Sequence, residues 1–162
     1  MENRRISVGV VVALLAVLTL APLTAVSAQN DPHAGTWVLN VAKSKYTPGP
    51  PPRQQTTVFS VSGQTVKVIT KGVGPLGMPT TTEYTAAFDG KDHAVSGNPD
   101  WDTVALKRVD SHTIEFTRKR GGKVVQTATS VVSKDGKTRT ITTAGTNAQG
   151  QKISTVGVYE RK

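Results

Sequence analysis

The stretch DPHAGTWVLNVAKSKYTPGPPP, residues 31–52, combines a strand pattern with a run of prolines. Apolar residues alternate along its first half, so Trp37, Leu39 and Val41 share one face of a strand predicted over Gly35–Ala42. The four prolines that follow lack the amide hydrogen that a strand ladder needs. The stretch therefore predicts a first strand that leads into a stiff, unpaired surface segment, KSKYTPGPPPR, residues 43–53.

Residues 1–28 have the three-part pattern of a secretory signal peptide. A basic start, MENRR, precedes a long apolar run, and small residues precede Gln29. Cleavage is predicted between Ala28 and Gln29, which leaves one domain over residues 29–162 and a secreted or periplasmic protein. The alternative is a retained membrane anchor, because the apolar run approaches the length of a span.

The composition of residues 29–162 favours strands. They contain 21 Thr and 16 Val but only three Leu, and β-branched residues suit a pleated surface better than a helix. Their net charge is +8, with 18 basic and 10 acidic residues, and the chain has no Cys. A disulfide scaffold and a thiol enzyme are therefore excluded, and the core alone must hold an exported domain together.

Short turn signals divide the domain into strand-like segments of hairpin spacing, so consecutive strands should be antiparallel neighbours. With no helical pattern to cover an open face, closure of the sheet removes its exposed edges. We expect an all-β, antiparallel up-and-down barrel of 8–10 strands, and a Greek-key sandwich is the alternative. The ten predicted segments are Gly35–Ala42, Gln54–Ser62, Gln64–Lys71, Thr80–Phe88, Asp92–Val95, Trp101–Val109, His112–Arg118, Lys123–Val132, Thr138–Ala144 and Gln151–Glu160.

One other connection is too long for a tight hairpin. GVGPLGMP, residues 72–79, carries the apolar side chains Leu76 and Met78. It is either a plain connection or a rim at an open end of the barrel.

Both ends of the domain carry a family pattern. GTWVLN at Gly35 resembles the Gly-x-Trp signature of the lipocalins and their calycin relatives, which include the fatty-acid-binding proteins. VGVYERK at the other end resembles the closing strand of fatty-acid-binding proteins. Residues 97–110 and 131–151 also resemble a group of exported bacterial lipocalin-like proteins. The resemblance implies a ligand-binding barrel in which Gly35, Trp37 and Arg161 are structural, with Arg161 packed over Trp37.

The chain also departs from the fatty-acid-binding pattern. Tyr159 matches a tyrosine that holds a lipid carboxylate in that family, but Gly157 stands where its partner arginine often lies. The proline segment is too short for the family's helical lid. The resemblance therefore implies that a neutral apolar ligand binds at least as well as a fatty acid.

Candidate ligand contacts are inward aromatic residues and an arginine within a strand. Ordinary core packing is the alternative for each aromatic residue. Arg108 and Arg118 lie within predicted strands; an inward arginine would suit an acidic ligand, but strand arginines usually face water. The predicted ligand-binding set is Tyr159, Gly157, Tyr84, Phe88, Phe116 and Arg108.

No catalytic, metal or cofactor site is predicted. His33, His93 and His112 are scattered, and the aspartates between Asp89 and Asp102 lack the spacing of a calcium loop. The aspartates are expected in turns, with Trp101 partly exposed among them. The basic cluster Arg118–Lys123 has no interleaved aromatic residues, so no nucleic-acid partner is expected.

The sequence thus predicts a monomeric exported protein that binds a small apolar or amphipathic ligand and is not an enzyme. Its positive charge predicts a modest attraction to an anionic envelope surface. The alternative is a barrel with a filled core that acts through its surface, as a protease inhibitor or an envelope-associated module.

Processing gives the first prediction. If residues 1–28 are a signal peptide, exported material begins at Gln29, free or cyclised. Intact-mass measurement of exported protein checks this. A chain that retains Met1 in the membrane fraction would support the anchor instead.

Overall fold

The computed structural model describes residues 31–162, so the predicted signal peptide and its cleavage site lie outside the described residues. Within 31–162, no helix has the length and apolar character needed to cross a membrane. The described chain is a single antiparallel sheet with one short 3-10 helix, Val41–Lys43. Its strands are β1 Gly35–Leu39, β2 Lys45–Thr47, β3 Gln54–Ser62, β4 Thr65–Val73, β5 Pro79–Ala87, β6 His93–Ser96, β7 Thr103–Arg108, β8 Thr113–Arg120, β9 Lys123–Val132, β10 Thr138–Thr146 and β11 Lys152–Arg161.

The sheet closes into the predicted up-and-down barrel. From β3 to β11 each strand pairs with the next along the chain, and β1 pairs with both β3 and β11. The short β2 also pairs with β11, so β1 and β2 are two pieces of one interrupted barrel strand. The barrel therefore has ten antiparallel strands, and the sandwich alternative is wrong.

The first strand differs from its prediction. It ends at Leu39, three residues early, because the Asn40 side chain accepts a hydrogen bond from Lys43 N (3.1 Å) and caps the 3-10 turn. The chain then pairs again over Lys45–Thr47, within the segment that the sequence predicted to be unpaired. The prolines themselves begin at Pro48, after this pairing has ended.

Strand direction defines two ends of the barrel. The closed end contains residues 31–34 and the turns at 63–64, 88–92, 109–112 and 133–137. The mouth contains the proline segment 48–53 and the turns at 74–78, 97–102, 121–122 and 147–151. Fully buried side chains away from the mouth, among them Trp37, Val66, Leu106, Ile114 and Val132, belong to one apolar core.

The closed end is held where the first strand meets the last. Trp37 is opposite Arg161 in the β1–β11 register, and the guanidinium lies 4.3 Å from the centroid of the indole ring. Gly35 has a φ of +126°, and a Cβ there would lie 2.5 Å from Arg161 Nη1. Glycine is therefore required two residues before the tryptophan, because any side chain would displace the arginine that covers the ring.

Residues 31–34 pass close to this contact and help to hold it. Trp37 Nε1 donates to the His33 carbonyl (2.9 Å), and Arg161 donates to the carbonyls of Pro32 and Ala34 (2.6 and 2.5 Å). Arg108 pairs with Asp31 at 2.6 Å and lies 4.1 Å from the centroid of the Phe88 ring. The segment before the first strand is therefore part of the folded barrel.

The closed-end core gives the second prediction. Because Trp37 is fully buried, Trp37→Ala should lower the free energy of unfolding by about 3–5 kcal/mol in urea melts. The control is Val109→Ala at the same end, where the side chain is 52 % exposed and the change should stay within about 0.5 kcal/mol. A loss at Trp37 no larger than at Val109 would contradict the structural role of the indole.

His33 gives the third prediction, because its imidazole is fully buried in this region. Burial lowers the His33 pKa from 6.5 to about 3, and the charges of Arg139 and Arg108 act in the same direction. Asp31 and the backbone of His112 oppose the shift more weakly. A histidine whose pKa is lowered in the fold favours the neutral form, so stability is complete above pH 6.5 and is lost as the pH falls toward 3.

Between pH 7 and pH 5, His33 should therefore remove about 2 kcal/mol from the free energy of unfolding. His33→Phe keeps an aromatic ring and cannot be protonated, so its stability should change much less over this range. Urea melts at pH 7, 6 and 5 measure both proteins. An equal pH dependence in the two would contradict the assignment to His33.

Candidate functional site

A cavity of about 630 Å³ opens at the mouth and extends into the barrel as far as Arg139 and Tyr159. Exposed residues of the mouth, including Pro48, Pro75 and Pro99, line one side of it, and buried strand residues line the rest. Its volume lies within the range usual for small-molecule sites. The packed core around Trp37 closes the barrel on the far side.

Arg139 of β10 lies in the wall of this cavity and is 1 % exposed. Its guanidinium lies 3.6 Å from the centroid of the Phe59 ring, and its Nε donates to Ser130 Oγ at 2.7 Å. Both Nη atoms are buried without a hydrogen-bond partner among the described residues. Arg139 therefore brings a positive charge with unsatisfied donors into the barrel.

A second arginine, Arg118 of β8, lines the cavity nearer the mouth. Its guanidinium lies 4.9 Å from the centroid of the Trp101 ring, and Nη1 donates to Gln126 Oε1 at 3.1 Å. Its Nε is buried without a partner in the described chain. Both guanidinium groups therefore lie over aromatic rings, which limit their movement. Some of their N–H groups have no hydrogen-bond partner in the described chain.

Asp100 and Asp31 act on Arg118 and Arg139 from a distance, but neither forms an ion pair with them. No ion pair within residues 31–162 includes Arg118 or Arg139. Asp100 is the one acidic residue among the described residues that line the cavity, and its Oδ1 accepts from Ala148 N at 2.8 Å. Burial lowers the pKa of Arg139 to about 10, so Arg139 remains charged at neutral pH, and burial also lowers the pKa of Arg118. Guanidinium groups in proteins are not deprotonated at neutral pH.

Two tyrosines complete the polar part of the wall. Tyr159 is opposite Arg139 in the β10–β11 register, and its hydroxyl and that of Tyr46 on β2 both lie near Gly157. Burial raises the pKa of both hydroxyls, which therefore stay protonated at neutral pH. Gly157 lies beside them, where a Cβ would lie 2.9 Å from Tyr159 Cε2 and 3.5 Å from Tyr46 Oη.

Aromatic side chains supply much of the apolar wall. Tyr84 and Trp101 meet edge to face, with ring centroids 6.1 Å apart, and Phe116 lies near Arg118. Trp101 is 7 % exposed, so the expectation that it is partly exposed is wrong. Its neighbours Asp100 and Asp102 are polar, but the indole itself turns inward onto Tyr84 and the Arg118 guanidinium.

The structure separates the predicted ligand-binding set into two groups. Tyr159, Gly157, Tyr84 and Phe116 all line the cavity. Phe88 and Arg108 do not: they pack against each other at the closed end, and Arg108 is paired with Asp31. Arg108 shares an inward face with Leu106, but it does not line the cavity.

Three polar residues that line the cavity were not in the predicted ligand-binding set: Arg118, Arg139 and Tyr46. Arg118 follows Ile114 and Phe116 at spacings of two, so alternation alone places it on the inward face. Arg139 gives a weaker signal, because threonines flank it in TRTITTA and both faces of β10 look alike. Tyr46 lies just before the prolines and was hidden in the segment expected to be unpaired.

Within residues 31–162 no group of three or more histidine, aspartate or glutamate side chains is close enough to hold a metal ion. The aspartates between Asp89 and Asp102 serve separate turns and ion pairs: Asp89 binds Lys91 N and His93, Asp92 pairs with Lys119, and Asp102 accepts from Gly121 N.

Comparisons with protein-family models, with curated proteins and with solved structures find no match to this chain. The geometry of the cavity therefore carries the functional conclusion.

Proposed function

We propose that this protein is an exported, monomeric carrier of a small amphipathic molecule whose acidic head group binds Arg118 and Arg139 inside the barrel. The observation that carries the proposal is the pair of cavity arginines with unused donors and no ion-pair partner in the described residues. This replaces the expectation of a neutral ligand, which depended on Gly157 standing at the usual arginine position.

The energetics favour an anionic occupant. A fully buried ionised group costs several kcal/mol unless it is paired. Arg139 is fully buried and Arg118 is half-buried, and neither has a carboxylate within ion-pair distance in the described chain. An anion placed between them accepts the unused N–H groups and neutralises the charge. The free energy gained when these N–H groups pair with the anion then contributes to ligand affinity.

The arrangement also orients the ligand. Arg139 and Tyr159 lie deep in the barrel, while Arg118 and Trp101 lie nearer the mouth. An acidic head between the two arginines leaves the apolar part of the molecule against Phe59, Val68 and Ile141 or directed toward the mouth. Tyr46 and Tyr159 stay protonated, so either hydroxyl can donate to the head group.

A cavity of this size supports a carrier over the alternative of a surface-acting barrel with a filled core. The ten-strand meander and the Gly35–Trp37–Arg161 contact support a place among the lipocalin-like, or calycin, proteins. The proposal includes no reaction, because the described residues that line the cavity include no histidine or glutamate and Asp100 is bound to a backbone amide.

The test compares a matched acid and alcohol, dodecanoate and dodecanol, by isothermal titration calorimetry at neutral pH. Wild-type protein should bind dodecanoate more tightly. Arg118→Gln and Arg139→Met should each weaken dodecanoate binding by about 1.5–3 kcal/mol, which is roughly tenfold or more, and change dodecanol binding little. Arg139→Met should shift the free energy of unfolding without ligand by no more than about 1 kcal/mol, since it removes an unpaired buried charge and keeps an apolar side chain.

Arg108→Met is the matched control, because Arg108 is an inward arginine paired with Asp31 outside the cavity. It should destabilise the protein while dodecanoate affinity stays at the wild-type value. Equal affinity of the wild type for the acid and the alcohol would contradict the proposed head-group site. The absence of saturable binding of either compound would contradict the carrier function itself.

A further inference from the structure

The turn at 74–78, which we call the mouth loop, exposes two large apolar side chains. Leu76 is 89 % exposed and Met78 is 67 % exposed. The other large hydrophobic residues found exposed in the described chain are valines, none above 57 %. Leu39 and Leu106, by contrast, are buried in the core. Two long apolar side chains therefore project together from the rim of the cavity.

The mouth loop is held in a defined shape. Gly74 N donates to the Met78 carbonyl at 2.8 Å, and Gly77 N donates to the Gly74 carbonyl at 3.0 Å. Arg53, at the end of the proline segment, also holds the loop, because its Nε donates to the Pro75 carbonyl at 3.2 Å. Leu76 and Met78 are thus presented to solvent by a hydrogen-bonded turn.

The part of the chain that contains the mouth loop carries charge of one sign, while Asp100 and Asp102 lie on another turn of the mouth. Residues 41–82, which include β2, the proline segment, β3, β4 and the mouth loop, contain five basic residues and no acidic residue. Lys43 and Lys67 are paired with Glu160 and Glu83. The remaining three are exposed and have no carboxylate within ion-pair distance in the described chain; they are Lys45, Arg53 and Lys71.

We propose that the mouth loop docks the barrel on an anionic lipid bilayer, with Leu76 and Met78 inserted among the acyl chains and Arg53 and Lys71 at the head groups. Exposed apolar residues beside unpaired basic ones match the interface of such a bilayer, where apolar surface and negative charge lie within a few ångströms of each other. The two side chains stand out from a narrow turn, which suits insertion into a fluid layer better than packing against a flat protein surface.

Docking in this orientation places the cavity opening against the membrane. Gly74 and Pro75 of the mouth loop line the cavity, and so does Pro79, which follows the loop. A ligand with an apolar tail then passes between bilayer and barrel without crossing water. The docking itself does not depend on the proposed function, because it is measured on protein without any added ligand.

The experiment is co-sedimentation with vesicles of pure phosphatidylcholine and with vesicles that contain about a third phosphatidylglycerol. Wild-type protein should partition onto the anionic vesicles and much less onto the neutral ones. The double variant Leu76→Ser, Met78→Ser should lose about tenfold or more of the partition coefficient, and Lys71→Gln about fivefold. About 1 M salt shortens the Debye length to about 3 Å and should also weaken the binding.

Matched controls lie elsewhere on the barrel. Val109→Ser removes an exposed apolar side chain at the closed end, and Lys107→Gln removes an exposed cation on β7. Both should partition like wild type. Leu76→Trp gives a second measurement, because Trp37 and Trp101 are buried and the new indole should shift its emission to the blue only with anionic vesicles.

Three results would overturn the docking proposal: no wild-type binding to anionic vesicles, unchanged binding of the Leu76→Ser, Met78→Ser variant, or an equal loss in Val109→Ser. Capture of a protein partner by the mouth loop without vesicle binding would overturn it as well. Acid binding measured by calorimetry is unaffected by any of these results, so failure of docking and failure of the proposed function are distinguishable.

Discussion

The contact between Trp37 and Arg161 is the constraint on which the rest of the barrel depends. It joins the first strand to the last and so determines that a meander of hairpins becomes a closed cylinder. Gly35 leaves room for the guanidinium, and the carbonyls of Pro32 and Ala34 hold it in place. This contact and the apolar core close one end of the barrel, and the cavity opens at the other end, the mouth.

The barrel shows two uses of arginine. Arg108 and Arg161 at the closed end have protein partners, Asp31 for one and backbone carbonyls for the other, and they stabilise the fold. Arg118 and Arg139 in the cavity are stacked on aromatic rings but keep unused donors. Charge without a partner in a buried site opposes folding, and sites of this kind are typical of ligand binding.

The fold was largely predictable from the sequence, and the site was only partly so. Alternation and short turns in a threonine- and valine-rich chain predicted all ten barrel strands, with β3 and β9 at their observed bounds. The same rule missed β2, because pairing of Lys45–Thr47 depends on β11, more than a hundred residues away. Arg139 was missed because threonines occupy both faces of β10, so no local pattern tells which face is buried. Gly157 and Tyr159 line the cavity, but their sequence pattern gave no sign of its two arginines, which reach it from β8 and β10.

The most direct measurement of the central claim is the ¹⁵N–¹H spectrum of the arginine Nε–Hε groups, recorded during titration with dodecanoate and, separately, with dodecanol. Arg118 Nε has no hydrogen-bond partner among residues 31–162 and Arg139 Nε is bound to Ser130, so both report on an anion that binds at either guanidinium. The account predicts that the Arg118 and Arg139 resonances shift with dodecanoate and shift far less with dodecanol, while Arg108 stays in place. Shifts confined to exposed arginines such as Arg53, or equal shifts with the acid and the alcohol, would contradict it.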